Sequence, residues 1–233
     1  MSKINVVKIT VNKLKTVFVL KNENSSILID TCHRNQRHQF YSILENLEIE
    51  IAKIKLIVIT HAHTDNYGVA SEIKELYGIP VLVQRQDANR MIRGVSADYK
   101  PVGIRGRIFS KYFYRESCCP KAIKVEPDII VDDSYDLSDF GISATVFHTP
   151  GHTCGSLSVL TKDGDLILSD QFQVKKGIPS RITAPLICYD LKQSIFSLKK
   201  MSDYAPRKIY TASGYELSYS ELQRFIIKHE GTL

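Results

Sequence analysis

The stretch Thr60-His61-Ala62-His63-Thr64-Asp65-Asn66 places two histidines one residue apart, with an aspartate two residues after the second. The residues before it, 54–60, form an apolar run with the composition of a fully buried strand. Apolar residues at helical spacing then predict a helix from about 66 to 77, which Gly78 and Pro80 end. A loop between strand and helix can direct both imidazoles at one ion, and imidazole with carboxylate suits zinc. The stretch therefore predicts a metal site.

A purely structural role is the alternative for one residue of this stretch. Asp65 could simply cap the helix that begins there. The two histidines have no comparable explanation, because imidazoles at the mouth of an apolar strand need a reason to be there.

Apolar periodicity along the rest of the chain predicts alternating groups of strands and helices. Their order, strands, helix, strands, helix, predicts an α/β sandwich of two similar halves in a single domain, 1–233. The last helix begins at Ser218-Tyr219-Ser220-Glu221, which has a capping-box pattern. The predicted strands are 4–11, 15–20, 27–29, 54–60, 81–83, 128–131, 142–148, 156–161, 165–169 and 209–210, and the predicted helices are 34–47, 66–77, 85–93, 190–200 and one from 218.

Four further segments carry polar residues close to predicted strand ends. His61, His152 and Asp170 each directly follow a predicted strand, so one edge of the fold can gather them. The four segments are Ile27-Leu28-Ile29-Asp30-Thr31, Thr149-Pro150-Gly151-His152-Thr153, Leu168-Ser169-Asp170 and Ser213-Gly214-Tyr215.

Together with residues 60–66, these segments are similar in order and spacing to the motifs of the metallo-β-lactamase superfamily, whose first signature is His-x-His-x-Asp-His. The resemblance extends from about residue 4 to 229. It implies a four-layer αββα sandwich with the metal ligands on loops at one edge of its two sheets. It also implies a first metal site made of His61, His63 and His152, with Asp170 as the bridging ligand.

Two positions depart from the family pattern. Asn66 stands where the last histidine of the first motif is expected, and Tyr215 stands where the family has a late histidine. The implied second site would use Asp65, Asp170 and these two positions, so it has lost two of its four ligands. Because both losses affect the same site, a working mononuclear centre is favoured over a decayed one. A weak second ion held by Asp65 and Asp170 is the alternative.

The residues that remain suggest a division of chemical roles. We expect one zinc ion, with iron or manganese as alternatives, and a single Lewis acid lowers the pKa of water from about 15.7 to about 7. Asp65 is the predicted hydrogen-bond acceptor or general base for that water. Tyr215 is the predicted donor to a developing oxyanion. These two are the predicted catalytic residues.

Positive charge is concentrated in one part of the chain. Residues 85–124 hold ten Lys or Arg and three acidic residues, although the whole chain has a net charge of only +6. Within this range, the segment at about 94–124 is both basic and rich in aromatic residues. We expect it to border the site and to bind an anionic small molecule through Arg105 or Arg107. A solvated face with a packed aromatic cluster is the alternative, and a nucleic-acid surface is less favoured.

Composition excludes several classes of protein. No apolar run is long enough for a transmembrane helix, so no membrane association is expected. The odd count of five cysteines does not fit a disulfide framework, and no apolar export signal is present near the N-terminus, so a cytoplasmic location is expected. The oligomeric state is left open.

Three functions remain open. The first is a hydrolase of an ester, thioester, lactam or phosphoester. The second is a mononuclear iron oxidoreductase of the persulfide dioxygenase kind, since two histidines and a carboxylate also suit ferrous iron. The third is a non-catalytic binding protein on the same scaffold. Metal content separates them, because iron favours the second and failure to hold metal favours the third.

Overall fold

The computed structural model describes residues 3–12, 15–111, 123–174 and 182–230. The strands, in chain order, are β1 (Asn5–Thr10), β2 (Thr16–Lys21), β3 (Ser26–Ile29), β4 (Ile54–Val58), β5 (Val81–Gln84), β6 (Lys100–Pro101), β7 (Ile129–Val131), β8 (Ser134–Asp136), β9 (Ala144–His148), β10 (Leu157–Thr161), β11 (Asp165–Leu168), β12 (Gln173–Val174), β13 (Ile182–Thr183), β14 (Ile187–Cys188), β15 (Lys208–Thr211) and β16 (Glu216–Leu217). The α-helices are α1 (Arg37–Asn46), α2 (Thr64–Tyr67), α3 (Ala70–Tyr77), α4 (Arg85–Arg93), α5 (Gly103–Phe109), α6 (Leu191–Ser202) and α7 (Tyr219–Glu230).

Two six-stranded sheets form the centre of the fold. The first has the order β1-β2-β3-β4-β5-β7, and its strands are antiparallel from β1 to β3 and parallel from β3 to β7. The second has the order β16-β15-β11-β10-β9-β8 and is antiparallel except where β11 pairs with β15. Each sheet is therefore mixed, with three parallel pairs in the first and a single parallel pair, β11 with β15, in the second.

The two sheets pack face to face, and helices cover their outer faces. Alternation along β2 shows this, because Phe18 and Leu20 join the core between the sheets, whereas Val17 and Val19 face the helices on the other side. The outer core of the first sheet contains buried residues of α1, α3 and α4. The outer core of the second sheet contains buried residues of α6 and α7. The predicted four-layer αββα sandwich is confirmed.

Local sequence signals fixed most of these elements. The capping box at the start of α7 is present, since the Ser218 N–H donates to Glu221 Oε2 at 2.8 Å and the Glu221 N–H donates to Ser218 Oγ at 3.3 Å. The predicted helix 66–77 is instead divided into α2 and α3 around Gly68. A Cβ there would lie only 2.7–2.8 Å from backbone atoms of Thr64, Arg34 and Cys32, so tight packing interrupts the helix.

Several short elements escaped prediction. Helix α5 contains Gly103 and Gly106 within seven residues, and glycine is a poor helix former. Strands β6 and β14 are two residues each and pair only with one another, so neither has a periodic pattern of its own. Within the described parts of the chain, no helix combines the length and the apolar character needed to cross a membrane.

Candidate metal centre

The first two histidines lie in the loop between β4 and α2. Both are buried, since His61 is 1% exposed and His63 is 5% exposed. Asp30, which follows β3, accepts hydrogen bonds from the Thr60 backbone N–H at 2.7 Å and from the Thr60 hydroxyl at 2.8 Å. The Thr60 Oγ1 atom in turn lies 3.0 Å from His61 Nδ1. A buried carboxylate thus fixes the loop and, through Thr60, the orientation of the first imidazole.

The third histidine lies in a turn that packs against the start of α6. His152 is 3% exposed and follows Gly151, whose φ is 142°. A Cβ on Gly151 would lie 2.3 Å from Ser194 Cα, so only glycine allows this approach. The carbonyl groups of Gly151 and His152 accept hydrogen bonds from the Tyr189 N–H at 3.0 and 2.9 Å. This packing fixes the position of the His152 ring.

The three imidazoles converge on one point. His63 Nδ1 lies 3.1 Å from His61 Nε2 and 3.2 Å from His152 Nε2, and the three ligand atoms are within 4.8 Å of one another. Tetrahedral zinc with Zn–N bonds of 2.0–2.1 Å has nitrogen atoms about 3.3 Å apart. The group His61, His63 and His152 is therefore able to hold a metal ion, and its spacing suits a tetrahedral one.

The protonation states suit metal binding. Burial lowers the pKa of His63 and of His152 to about 4, and it lowers the pKa of His61 well below its ordinary value. All three rings are therefore neutral at pH 7, and each keeps a lone pair to donate.

Asp170 lies at the edge of this group. Its Oδ2 atom is 3.6 Å from His61 Nε2 and 4.0 Å from His152 Nε2, and 38% of its side chain is exposed. Burial raises the pKa of Asp170, although Lys15 acts to lower it. The carboxylate thus lies beside two of the three histidines and can complete a four-ligand set with them.

Asp65 lies in the first turn of α2 and is half-buried. Burial acts to raise the pKa of Asp65, but attraction to Lys15 and His63 outweighs it, so the pKa lies below the ordinary value. Asp65 is therefore ionised at neutral pH. The structure brings it into the electrostatic environment of the histidines, and its catalytic role stays a prediction.

The two residues at the predicted second-site positions lie in different surroundings. Asn66 is fully buried, and its Nδ2 atom lies 2.6 Å from His61 Nε2. Tyr215 lies in the turn between β15 and β16 and is 37% exposed. Its hydroxyl forms no hydrogen bond to any residue that the structure describes, and only its backbone is bonded, to Thr211. Its predicted role as an oxyanion donor stays a prediction.

The predicted substrate-binding arginines lie on α5. Arg105 and Arg107 are exposed, and neither has an ion pair within the described ranges. Helix α5 packs against Leu186, because a Cβ on Gly106 would lie 2.2 Å from the Leu186 carbonyl oxygen. Leu186 precedes β14, and Tyr189 follows β14 and bonds to the His152 turn. The helix is therefore connected to the metal centre through a short segment.

The basic segment extends beyond the described residues. Residues 112–122 lie outside the described part of the chain. They include Arg115, Lys121, Cys118, Cys119 and three of the aromatic residues.

Two buried residues that the sequence did not single out support the centre. Asp87 of α4 is 2% exposed, and its Oδ2 atom accepts hydrogen bonds of 2.8 Å from the Ala62 N–H and the Thr153 hydroxyl. Its Oδ1 atom accepts a hydrogen bond of 3.2 Å from the Gly155 N–H. Asp87 therefore links the loops of the first and third motifs. The sequence signal that could have identified Asp87 is an acidic residue on the buried face of the amphipathic helix α4. The second residue, Lys15, precedes the apolar strand β2 and is 5% exposed.

One family model and several known proteins match this chain. The model of the metallo-β-lactamase superfamily matches residues 14–169. A metallo-β-lactamase fold-containing protein, ST1585 of Sulfurisphaera tokodaii, is 24% identical over 202 residues, which are 87% of this chain and 73% of that protein. The probable metallo-hydrolase YqgX of Bacillus subtilis is 26% identical over 132 residues, 52% of this chain and 51% of its own length. The latter match therefore spans about half of each protein.

Solved structures show the same fold. A metallo-β-lactamase family protein of Thermus thermophilus, TTHA1429, superimposes with a TM-score of 0.68 at 20% identity, covering 98% of this chain and 79% of that one. The structure of ST1585 superimposes with a TM-score of 0.65 at 22% identity, covering 99% and 87%. At these identities the likeness concerns the fold alone.

Replacing Asp87 by Asn tests whether this residue holds the ligand loops together. The amide cannot accept all three hydrogen bonds, so we expect the affinity for zinc to fall about 10- to 100-fold. Metal competition with a chromogenic chelator measures this. Asp98→Asn is the control, because Asp98 is an acid in the next loop whose side chain is 67% exposed. An unchanged zinc affinity in Asp87→Asn would show that Asp87 has no positioning role.

Acid should destabilise the metal-free protein through its histidines. The unfolded chain binds protons below the ordinary histidine pKa of 6.5, whereas His63 and His152 in the folded state do so only near pKa 4. The stability that the neutral rings contribute is therefore complete above pH 6.5 and is lost as the pH falls toward 4, at about 1.4 kcal/mol per pH unit for each group. Asp30, whose pKa burial raises to about 6, acts in the opposite direction.

Urea denaturation between pH 7 and 4.5 measures this dependence. The variant His152→Gln should show a shallower fall in the free energy of unfolding, because one titrating group is removed. A flat profile in the unmodified chain, or the same slope in the variant, would contradict the assignment.

Proposed function

The chain belongs to the metallo-β-lactamase superfamily, and from that premise we propose that it is a hydrolase that works with one zinc ion. The observation that carries the proposal is the group of three buried, neutral imidazoles whose ligand atoms lie 3.1 and 3.2 Å apart. This group with Asp170 gives the nitrogen and carboxylate donors that zinc prefers. The relative YqgX, a probable metallo-hydrolase, supports hydrolysis as the reaction class.

In this proposal each residue of the centre would have a separate role. His61, His63 and His152 hold the ion, and Asp170 completes the set. When bound, the ion supplies Lewis acidity that lowers the pKa of water to about 7. Asp65, ionised at neutral pH, accepts a hydrogen bond from the attacking water and receives its proton. Its lowered pKa makes it a weak base, so orienting the water is the larger part of its role.

The proposed substrate is an anionic small molecule with an ester, thioester, lactam or phosphoester bond. Two exposed guanidinium groups, Arg105 and Arg107, lie on a helix that is joined to the His152 turn, and neither is neutralised by a described acidic partner. Guanidinium groups bind carboxylate and phosphate in a bidentate manner. The excess positive charge of the segment would also attract an anion toward the centre.

Metal analysis and a hydrolysis panel together test the proposed reaction. We expect one zinc per chain in protein purified without chelators, and turnover of at least one anionic chromogenic ester, thioester or phosphoester. Asp65→Asn should lower kcat about 10²- to 10⁴-fold while the zinc content stays unchanged. His152→Ala is the control, because it should lose zinc and activity together.

Other outcomes of that experiment would replace the proposal. Full turnover in Asp65→Asn would remove the assigned role of Asp65. Iron in place of zinc, with oxidation of a persulfide, would mean an iron oxidoreductase. A chain that holds no metal even after reconstitution would be a binding protein.

Replacing both arginines tests the proposed choice of substrate. Arg105→Ala with Arg107→Ala should raise KM about tenfold or more for an anionic substrate, because a hydrogen bond to a charged group contributes about 1.5–3 kcal/mol. KM for a neutral substrate with the same scissile bond should not change. Arg93→Ala, which removes an exposed arginine at the end of α4, is the matched control. Equal effects on charged and neutral substrates would argue against anion recognition.

A further inference from the structure

A lysine side chain is buried at the metal centre. Lys15 immediately precedes β2, and only 6% of its side chain is exposed. Its Nζ atom is buried and has no hydrogen-bond partner among the residues that the structure describes. A buried ammonium group is costly unless nearby negative charge compensates for it.

Three aspartates supply that negative charge. Lys15 Nζ lies 3.9 Å from Asp30 Oδ2. Its attraction to Asp65 is stronger than that to Asp30, and Asp170 adds a third contribution. Burial alone would lower the pKa of Lys15, but these carboxylates outweigh it and raise the pKa, so the group stays an ammonium ion. Asp65 and Asp170 are the two aspartates that the family resemblance assigns to a second metal ion.

The backbone holds Lys15 beside the other half of that second site. Its N–H donates to Asn12 Oδ1 at 3.0 Å, and the Thr16 N–H donates to the Ala212 carbonyl at 2.8 Å. A Cβ on Gly214 would lie 2.6 Å from Thr16 Oγ1, so the turn that carries Tyr215 packs directly against this strand. Lys15 therefore enters the centre next to the position from which the missing late histidine would have come.

We propose that the Lys15 ammonium takes the place of a second metal ion, so that the centre binds only one. This inference rests on the metal site of the proposed function but not on the reaction. The ammonium, held beside Asp30, supplies positive charge that attracts both Asp65 and Asp170 and needs no ligand from the positions of Asn66 and Tyr215. It also repels a divalent cation that approaches the same carboxylates.

Metal stoichiometry tests the proposal without any substrate. Cobalt(II) is titrated into the metal-free protein, and binding is followed by visible absorption and by elemental analysis. The unmodified protein should saturate with a single ion, and Lys15→Met should take up a second one. Lys15→Arg keeps the charge and should bind a single ion. Lys8→Ala is the surface control, because Lys8 lies on the neighbouring strand in an exposed pair with Glu216.

Asn66→His, which keeps Lys15, covers the case in which Lys15→Met does not fold, and a double variant extends the test where Lys15→Met folds. Asn66→His restores a family ligand while Lys15 remains, so this variant should still bind a single ion. The double variant Asn66→His with Lys15→Met should bind the second ion at least about tenfold more tightly than Lys15→Met alone, because a ligand is added. Circular dichroism shows which variants are folded.

Each outcome decides the proposal. A second ion in the unmodified chain or in Asn66→His overturns it, and so does a single ion in folded Lys15→Met. A chain that binds one ion but hydrolyses nothing in the panel would refute the proposed reaction and leave the role of Lys15 intact. Failure of the unmodified chain to bind any ion would overturn both.

Discussion

The backbone hydrogen bond from the Leu157 N–H to the Thr60 carbonyl, 2.7 Å long, joins the two sheets at the edge where the metal ligands lie. The ligands come from both sheets, since His61 and His63 follow β4 of the first and His152 follows β9 of the second. Three imidazole nitrogens can converge within 4.8 Å of one another only if these strand ends keep a fixed separation. Asp87 adds a second connection by accepting hydrogen bonds from the loops of both motifs. The metal centre is therefore a property of the packing between the sheets.

Compensation of buried charge is the second constraint on the site. Burial keeps the three imidazoles neutral, so they do not offset the negative charge of the nearby carboxylates. Asp30 and Asp87 are satisfied mainly by hydrogen bonds from Thr60, Ala62, Thr153 and Gly155. Asp65 and Asp170 are instead attracted to the Lys15 ammonium, and a cation bound by the histidines would add to that attraction. Hydrogen bonds thus stabilise Asp30 and Asp87, which support the loops, whereas positive charge stabilises Asp65 and Asp170.

The sequence predicted those features that local signals carry. Apolar runs and alternation predicted the longer strands, and helical spacing predicted α1, α4, α6 and α7. The motif around His61 predicted that the histidines converge, and the structure gives their spacing and burial. Lys15 was not recognised, because a lysine before an apolar strand is ordinarily a surface residue, and its partners Asp65 and Asp170 lie 50 and 155 positions further along the chain. Asp87 was missed for the same reason, since its three donors lie on two distant loops. Contacts between distant segments leave no periodic trace in a single sequence.

The coincidence of two lost histidines and one buried lysine has a physical explanation. A divalent ion at the second site would need neutral donors in addition to Asp65 and Asp170, and Asn66 and Tyr215 are weaker donors than imidazole. Without those donors the two aspartates would remain as uncompensated charge in a partly desolvated site, which is costly. A tethered ammonium removes the cost, because hydrogen bonds from the Lys15 N–H to Asn12 Oδ1 and from the Thr16 N–H to the Ala212 carbonyl hold its backbone in place without a ligand set. The need to compensate the charge of Asp65 and Asp170 therefore explains why Lys15 is buried where the second-site histidines are absent.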